Sequence, residues 1–232
     1  MSQTSSRRLP IGGRGAAPIL RLLIAGGGAP AIASLVPALP GPSEGALRAV
    51  TMGLIMVLAL LLLRPAARAG AVPLLAWAAA GTLLASLALV LAPTTGLTWP
   101  ALLRLALTLF LLGSTLLLLT EIIAAPVVIL LAAALTLMPV WAAPLVEVTG
   151  NPAWLNRIIV WGSPMTALAV AIDLDYLRAE WFYSASALGS MRYTYPGWAW
   201  VAMALSVVPA WALFLERPRI VRADHHIMTP RG

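Results

Sequence analysis

The sequence predicts an all-α fold: a polytopic membrane protein with about six transmembrane helices and short re-entrant or interfacial helices between the fifth and the sixth. The first reason is composition. Hydrophobic residues make up 61% of the 232 residues and charged residues 10%, whereas soluble domains contain about 45–50% and about 25%. The second reason is that the apolar residues fall in stretches of about 20, the length that a helix needs to cross a bilayer.

Six apolar stretches define the predicted spans, within one transmembrane domain over residues 16–216. A glycine triplet and two prolines interrupt the first stretch, so a re-entrant or interfacial segment is the alternative there. Pro139 and Pro144 are expected to kink the fifth span. Residues 1–15 and 217–232 are predicted to be cytoplasmic tails, the first of them flexible. The spans lie at residues 22–39, 47–63, 71–92, 101–120, 122–146 and 197–215.

The arginines give the predicted orientation, because the chain has no lysine and a formal net charge of +7. With a cytoplasmic N-terminus and alternating spans, ten arginines lie inside and five lie outside, as the positive-inside rule requires. The arginine-rich, lysine-free composition is typical of a GC-rich bacterial genome. We therefore expect the bacterial cytoplasmic (inner) membrane, with both termini cytoplasmic. The inner arginines are Arg7, Arg8, Arg14, Arg21, Arg64, Arg68, Arg217, Arg219, Arg222 and Arg231, and the outer ones are Arg48, Arg104, Arg157, Arg178 and Arg192.

The outer loop over residues 147–196 is rich in aromatic residues and contains two signals for the start of a helix. Asn151-Pro152 and Ser163-Pro164 each place a capping side chain before a proline, which suits the first position of a helix. The loop is therefore predicted to form two short helices. The first covers residues 153–161, and the second runs over about 165–181.

Both short helices carry apolar residues at spacings of three and four, so each is predicted to bury one face. The apolar start of the second predicts a half-helix that enters the outer leaflet, and Asp173 and Asp175 mark its return to water. Arg178 follows Asp175 by three residues, which predicts a surface ion pair. The two predicted faces consist of Trp154, Ile158 and Trp161, and of Met165, Leu168 and Ile172.

One motif runs through this loop, within residues 151–178. Its residues are Trp154-Leu155, Trp161-Gly162-Ser163-Pro164-Met165-Thr166-Ala167-Leu168 and Asp175-Tyr176-Leu177-Arg178. The motif resembles a segment that the type-2 ABC exporter permeases carry between their fifth and sixth helices. In that family the segment forms short re-entrant helices on the outer side. The six-span topology with both ends inside is similar as well.

This resemblance implies a permease subunit that forms a dimer with a second copy of itself and couples to a separate cytoplasmic ATPase. Arg64 and Arg68 are then candidate contacts for the ATPase, because they lie in the predicted cytoplasmic loop 64–70. The family usually has a longer connection here that contains a coupling helix, and seven residues are too few for one. The alternative hypothesis is a non-catalytic structural or accessory subunit of a larger membrane complex, with the aromatic loop as its docking surface.

Two charges lie at the edges of the predicted spans, where ionisable groups are functional candidates. Arg104 and Glu121 are 17 residues apart, which is about 26 Å along one helix, so they cannot pair with each other. In the structural alternative, Arg104 reaches the outer headgroups and Glu121 meets Arg64 or Arg68 at the inner surface. The candidate functional or partner-contact residues are thus Arg64, Arg68, Arg104, Glu121, Ser163, Pro164, Asp173, Asp175 and Arg178.

Several classes of chemistry are not expected. The chain has no cysteine, which excludes disulfides and thiol catalysis, and it has no phosphate-binding glycine loop. Asp173, Asp175 and Glu180 could hold a cation, but a solvated loop face is the simpler interpretation. His225 and His226 are adjacent in the C-terminal tail without a matching ligand cluster. We therefore predict a non-enzymatic protein with no cofactor, no metal and no nucleic-acid partner.

Overall fold

The fold is taken from a computed structural model, which describes residues 44–64, 70–91, 96–178 and 193–227. For residues 217–227 the backbone alone is described. The predictions for the N-terminal tail, the first apolar stretch at 22–39, Arg68, Glu180 and the two histidines fall outside these limits.

Every regular element in the described ranges is a helix, so the all-α prediction is confirmed there. Four helices are long and apolar enough to cross a membrane, and a bent helix pair gives a fifth candidate. By length and composition, the chain is a multi-pass membrane protein. The helices are α1 (Glu44–Leu62), α2 (Ala71–Leu91), α3 (Trp99–Leu119), α4 (Ala125–Thr136), α5 (Met138–Trp141), α6 (Ala143–Val148), α7 (Ala153–Trp161), α8 (Pro164–Ala171) and α9 (Trp198–Ile227).

The predicted fifth span is broken into α4, α5 and α6, with a bend of 55° after α4. The breaks fall at Leu137 and Ala142, and Pro139 and Pro144 are the second residues of α5 and α6. A proline ring removes one backbone donor and clashes with the carbonyl four residues earlier. The predicted kink at Pro139 is therefore confirmed, and the helix is interrupted again just before Pro144.

Polar contacts bring the spans into an alternating arrangement. At one end of the bundle, Arg64 after α1 donates to the Thr120 hydroxyl after α3 at 2.6 Å. At the same end, the Glu216 carboxylate of α9 accepts hydrogen bonds from the N–H groups of Ala71 and Val72 at the start of α2. We call this the Glu216 end, and it is the end that the sequence predicts to be cytoplasmic.

The last helix is longer than predicted. The predicted span ends at residue 215, before the cluster Glu216-Arg217-Pro218-Arg219, but α9 continues to Ile227. The apolar part does end at Glu216. The cluster therefore ends the apolar stretch without ending the helix.

The short helix α8 lies inside the bundle, where it contacts α1, α3, α4 and α9. Seven of its eight residues are buried, and Met165 is half-buried. Small side chains at Ala167, Ala169 and Ala171 let the longer helices approach it closely. The helix is shorter than the predicted 165–181, because the chain turns through a positive φ of 57° at Asp173. The predicted burial of Leu168 and Ile172 and the exposure of Asp173 are confirmed.

The other short helix, α7, packs differently from its prediction. Trp154, Ile158 and Trp161 are 64%, 56% and 46% exposed, so the predicted buried face is the outer one. The buried residues are Asn156, Ile159 and Val160. The prediction assumed that aromatic residues avoid the surroundings, as they do in water. Around a membrane protein the surroundings are apolar, and large apolar side chains are stable there.

Candidate functional site

At the end opposite Glu216, the outer-loop segments cover the bundle. Arg104 of α3 and Asp173 after α8 form a bidentate ion pair there, with Nη1 and Oδ1 3.3 Å apart. The Arg104 side chain is 28% exposed and that of Asp173 is 73% exposed. The pair ties the exit of α8 to the first turns of α3. We call this the Asp173 end of the bundle.

Asp175 is the centre of a second polar cluster at this end. Its carboxylate accepts hydrogen bonds from the hydroxyls of Tyr193 and Tyr195, at 3.1 and 2.9 Å. It also pairs with Arg178 at 3.2 Å, so the predicted i,i+3 ion pair is confirmed. Because 18 and 20 residues separate these tyrosines from Asp175, the cluster fastens the end of the outer loop onto its middle.

The three tyrosines at the Asp173 end are neutral at physiological pH. Burial raises the pKa of Tyr195, and the nearby Asp175 carboxylate raises it further. Burial, followed by the charge of Asp175, raises the pKa of Tyr193 to about 12. The pKa of Tyr176 is also raised by burial, and its hydroxyl lies 2.9 Å from that of Thr166 in α8. These hydroxyls keep their protons and act as fixed hydrogen-bond groups.

A cavity of about 380 Å³ lies between α3, α4, the α7–α8 turn and α9. We call it the α3–α9 cavity. Its opening is bordered by Trp161 and Trp200, which are 46% and 67% exposed. The lining is mainly aliphatic, and it consists of Leu112, Thr115, Leu116, Leu119, Leu135, Trp161, Gly162, Ser163, Pro164, Ala167, Pro196, Trp200, Val201, Ala204 and Leu205.

Both side-chain hydroxyls that line this cavity already have partners. Thr115 donates to the Leu205 carbonyl at 2.9 Å, which joins α3 to α9. Ser163 donates to the Thr136 carbonyl at 3.3 Å, which joins the start of α8 to the end of α4. The α3–α9 cavity therefore presents a surface that suits hydrocarbon better than a polar solute.

No family profile, curated protein or solved structure matches this chain.

The Ser163-Pro164 signal is placed as predicted, but the serine acts differently. Ser163 has the extended backbone of a capping residue, and Pro164 is the first residue of α8. Its side chain makes no cap hydrogen bond, because it donates to Thr136 instead. The other signal is shifted by one residue: Pro152 is the capping position of α7, and the Asn151 side chain accepts from Asn156.

A smaller pocket of about 200 Å³ lies beside the α3–α9 cavity. It is lined by Ala153, Arg157, Tyr193 and Thr194, and we call it the Arg157 pocket. The Arg157 guanidinium carbon lies 5.4 Å from the ring centre of Trp161, a distance suited to a cation–π contact. The Trp161 indole also lines the cavity and donates to the Thr194 carbonyl at 2.9 Å. One tryptophan therefore lines the apolar cavity and contacts two residues of the cationic pocket.

The remaining candidate functional residues lie at the Glu216 end, opposite the Asp173 end. Glu121 is exposed there, and Arg64 donates to the Thr120 hydroxyl and carbonyl. Arg64 therefore binds the residue before Glu121, and the alternative partner predicted for Glu121, Arg68, lies outside the described residues.

The structure divides the predicted residues into three groups. The Asp173 end contains Arg104, Asp173, Asp175 and Arg178. The α3–α9 cavity is lined by Ser163 and Pro164. The Glu216 end contains Arg64 and Glu121. Sequence reasoning did not single out Arg157, Thr120 or Glu216. A helical spacing of four between Arg157 and Trp161 was a signal that could have drawn attention to Arg157.

Proposed function

We propose that the protein is the membrane-spanning permease subunit of an ABC-type exporter, coupled to a separate cytoplasmic ATPase. The observation that carries the proposal is the pair α7–α8. Two short helices follow the broken fifth span and precede the last long helix, and the motif that resembles the type-2 ABC exporter permeases runs through both. The burial of α8 among three of the long helices and α4 fits the re-entrant placement that this family has.

The proposal includes a topology and a location. In this topology the protein has six spans, of which residues 22–39 form the first. Both termini are in the cytoplasm, and the outer loop is on the far side of a bacterial inner membrane. The two inner-end contacts, Arg64 with Thr120 and Glu216 with the start of α2, are compatible with this alternation. Positive charge on the cytoplasmic side supports the orientation.

Coupling to the ATPase needs a cytoplasmic surface to which the ATPase can bind. At the Glu216 end this surface includes the turn between α3 and α4, where Glu121 and Ile122 are exposed. Ile122 is 84% exposed, and a large apolar side chain beside an exposed carboxylate suits a protein contact better than water. We place the ATPase contact at this turn and at the neighbouring loop 64–70.

A second candidate function is supported by α9. Its spanning part has 11% of its residues buried within the chain, and Trp200, Met203, Val207, Trp211 and Phe214 are exposed on it. A face of this size suits contact with another membrane chain. It would serve the dimer of a permease, and it would serve equally in an accessory subunit of a larger membrane complex.

Affinity purification from native membranes tests the permease proposal. We expect a nucleotide-hydrolysing subunit to co-purify, with ATP hydrolysis that vanadate inhibits. Glu121→Arg should reduce its recovery by about fivefold or more, because a reversed charge at a contact also repels what the carboxylate attracted. Glu147→Arg is the matched control, since Glu147 is exposed on α6, away from that turn.

The result that would remove the permease proposal is clear. Stable membrane partners without any nucleotide-binding subunit, in amounts that both substitutions leave unchanged, would support the accessory role instead.

A further inference from the structure

Trp161 links the two cavities, because it lines the α3–α9 cavity and contacts Arg157 and Thr194 of the Arg157 pocket. The chemistries of the two cavities are complementary. The first is apolar, and the second presents a cation. A molecule that fits both has a hydrocarbon chain attached to an anionic group. We propose that these two cavities together bind one anionic lipid, with its chain in the α3–α9 cavity and its headgroup at Arg157.

The α3–α9 cavity supports a hydrocarbon chain as its occupant. Its volume of about 380 Å³ lies in the range of small-molecule sites, roughly 300–1,000 Å³. Thr115 and Ser163 donate to backbone carbonyls, so a polar ligand would lose its water without gaining these hydroxyls as donors. An unbonded polar group in such a place costs about 1–3 kcal/mol. A hydrocarbon chain has no such group to satisfy.

The Arg157 pocket supports an anionic headgroup as its occupant. Arg157 is exposed, and in the part of the chain that the structure describes it has no acidic partner. Its guanidinium stays near the cavity because it lies over Trp161. Guanidinium groups bind carboxylate and phosphate with paired hydrogen bonds. Tyr193 also lines the pocket, while its hydroxyl donates to Asp175, so Arg157 is the group in this pocket that binds the anion.

The opening between Trp161 and Trp200 argues for entry from the bilayer. Both rings are exposed on a surface that is apolar along α9. Tryptophans collect at the level of lipid headgroups, where an anionic lipid has its chain below and its charge above. A second copy of this chain is the competing occupant, because the exposed face of α9 begins at the same opening.

As a binding site this inference stands without an ATPase. As a statement of the substrate class, an anionic lipid, it rests on the proposed permease function. The experiment below therefore measures binding alone, so that its failure leaves the test of ATPase coupling untouched.

The test uses the purified full chain in phosphatidylcholine nanodiscs. The probe is a long-chain fatty acid with a photoreactive diazirine in mid-chain, and its methyl ester serves as the neutral probe. We expect photolabel on α3, α8 and α9 at the cavity lining, at least fivefold above the exposed face of α2. Peptide mass spectrometry locates the label.

Two substitutions should close the cavity, and one should not. Ala204→Trp and Val201→Trp place an indole into the lining and should each lower labelling there at least fivefold. Ala210→Trp is the matched control on the same helix, because Ala210 is exposed and is not part of the lining. It should leave labelling within twofold of the native protein.

Arg157 is tested by charge. Arg157→Gln should weaken binding of the fatty acid by roughly 1.5- to 5-fold, the range of an exposed ion pair, and leave binding of the methyl ester unchanged. Arg157→Lys should restore most of the affinity.

Three results would overturn the inference. The first is label that follows surface exposure regardless of Ala204→Trp and Val201→Trp, since it would mean ordinary bilayer contact. The second is an equal effect of Arg157→Gln on both probes. The third is a cross-link between two copies of the chain at Ala204, which would assign the opening to a dimer.

Discussion

At the scale of single residues, the Arg104–Asp173 pair has the clearest structural role. Arg104 lies five residues after the start of α3, and its Nε atom is buried without a hydrogen-bond partner among the described residues. Asp173 supplies both carboxylate oxygens to the other two nitrogens. The pair therefore compensates a charge that the helix bundle partly removes from water.

We predict that Asp173→Asn lowers the free energy of unfolding by about 0.2–1 kcal/mol, since Asp173 is largely exposed and solvent screens the pair. Asparagine tolerates the positive φ at this position, so the backbone turn is retained. Thermal unfolding in detergent of Asp173→Asn, Arg104→Gln and the double variant gives the coupling energy. Glu147→Gln is the control. Strictly additive effects of the two substitutions would mean that the pair contributes nothing.

The sequence identified both members of this pair without pairing them. Arg104 was a candidate because it is a charge at the edge of a span, and Asp173 because it follows an apolar helix. Their contact joins residues 69 positions apart, and no local spacing predicts such a distance. Glu216 was missed for the same reason, since its acceptor role depends on the start of a helix 145 residues earlier.

At the scale of helices, Leu60 of α1 shows how closely the spans pack. This side chain is fully buried, and it faces glycines on two neighbouring helices. A Cβ atom added at Gly81 of α2 would meet Leu60 Cδ1 at 2.8 Å. One added at Gly113 of α3 would lie 3.9 Å from the same atom, which is ordinary van der Waals contact.

We predict opposite effects for the two alanine substitutions. Gly81→Ala should destabilise the protein by about 1 kcal/mol or more, because overpacking a filled interior costs about 1–3 kcal/mol. Gly113→Ala should be neutral or stabilising by up to about 1 kcal/mol, since alanine favours the helix. Thermal unfolding in detergent measures both, and Leu60→Ala should relieve Gly81→Ala. Equal effects at the two glycines would show that Leu60 moves freely between them.

At this scale the sequence predicted the bounds of the long helices well, but it did not predict which face of α7 is buried. Apolar length fixes where a helix can cross a bilayer, so α1, α2 and α3 lie within a few residues of their predicted bounds. The face that α7 buries depends on contrast with the surroundings. Trp154 and Ile158 face outward, because outside a membrane bundle there is no water to drive them in. The cavity beside Trp161 arises from the packing of four elements and has no sequence pattern of its own.

At the scale of the whole molecule, the alternation of helix ends makes a prediction about the two sides of the membrane. The chain contains no cysteine, so single cysteines can be introduced without a background. Glu121 and Glu147 are both exposed, and they lie at opposite ends of the broken span.

We expect Glu147→Cys to react with a membrane-impermeant maleimide added to intact cells, and Glu121→Cys to react only after the cells are opened. The reason is the arginine asymmetry, which places the turn after α3 inside. Gel-shift detection of the labelled chain is the measurement. The reverse pattern of labelling would invert the topology, and reaction of both sites in intact cells would exclude a span between them.

The contact between Glu216 and the start of α2 also affects when α2 can complete its packing during synthesis. The two partners are 145 residues apart in the chain, so at about 5–20 residues per second the ribosome needs roughly 7–30 s to make the second after the first. During that interval the leading amides of α2 must take water or lipid headgroups as acceptors. The helix α2 therefore reaches its final packing only when α9 arrives, and a nascent chain that stalls before Glu216 has leading amides on α2 without this carboxylate as their acceptor.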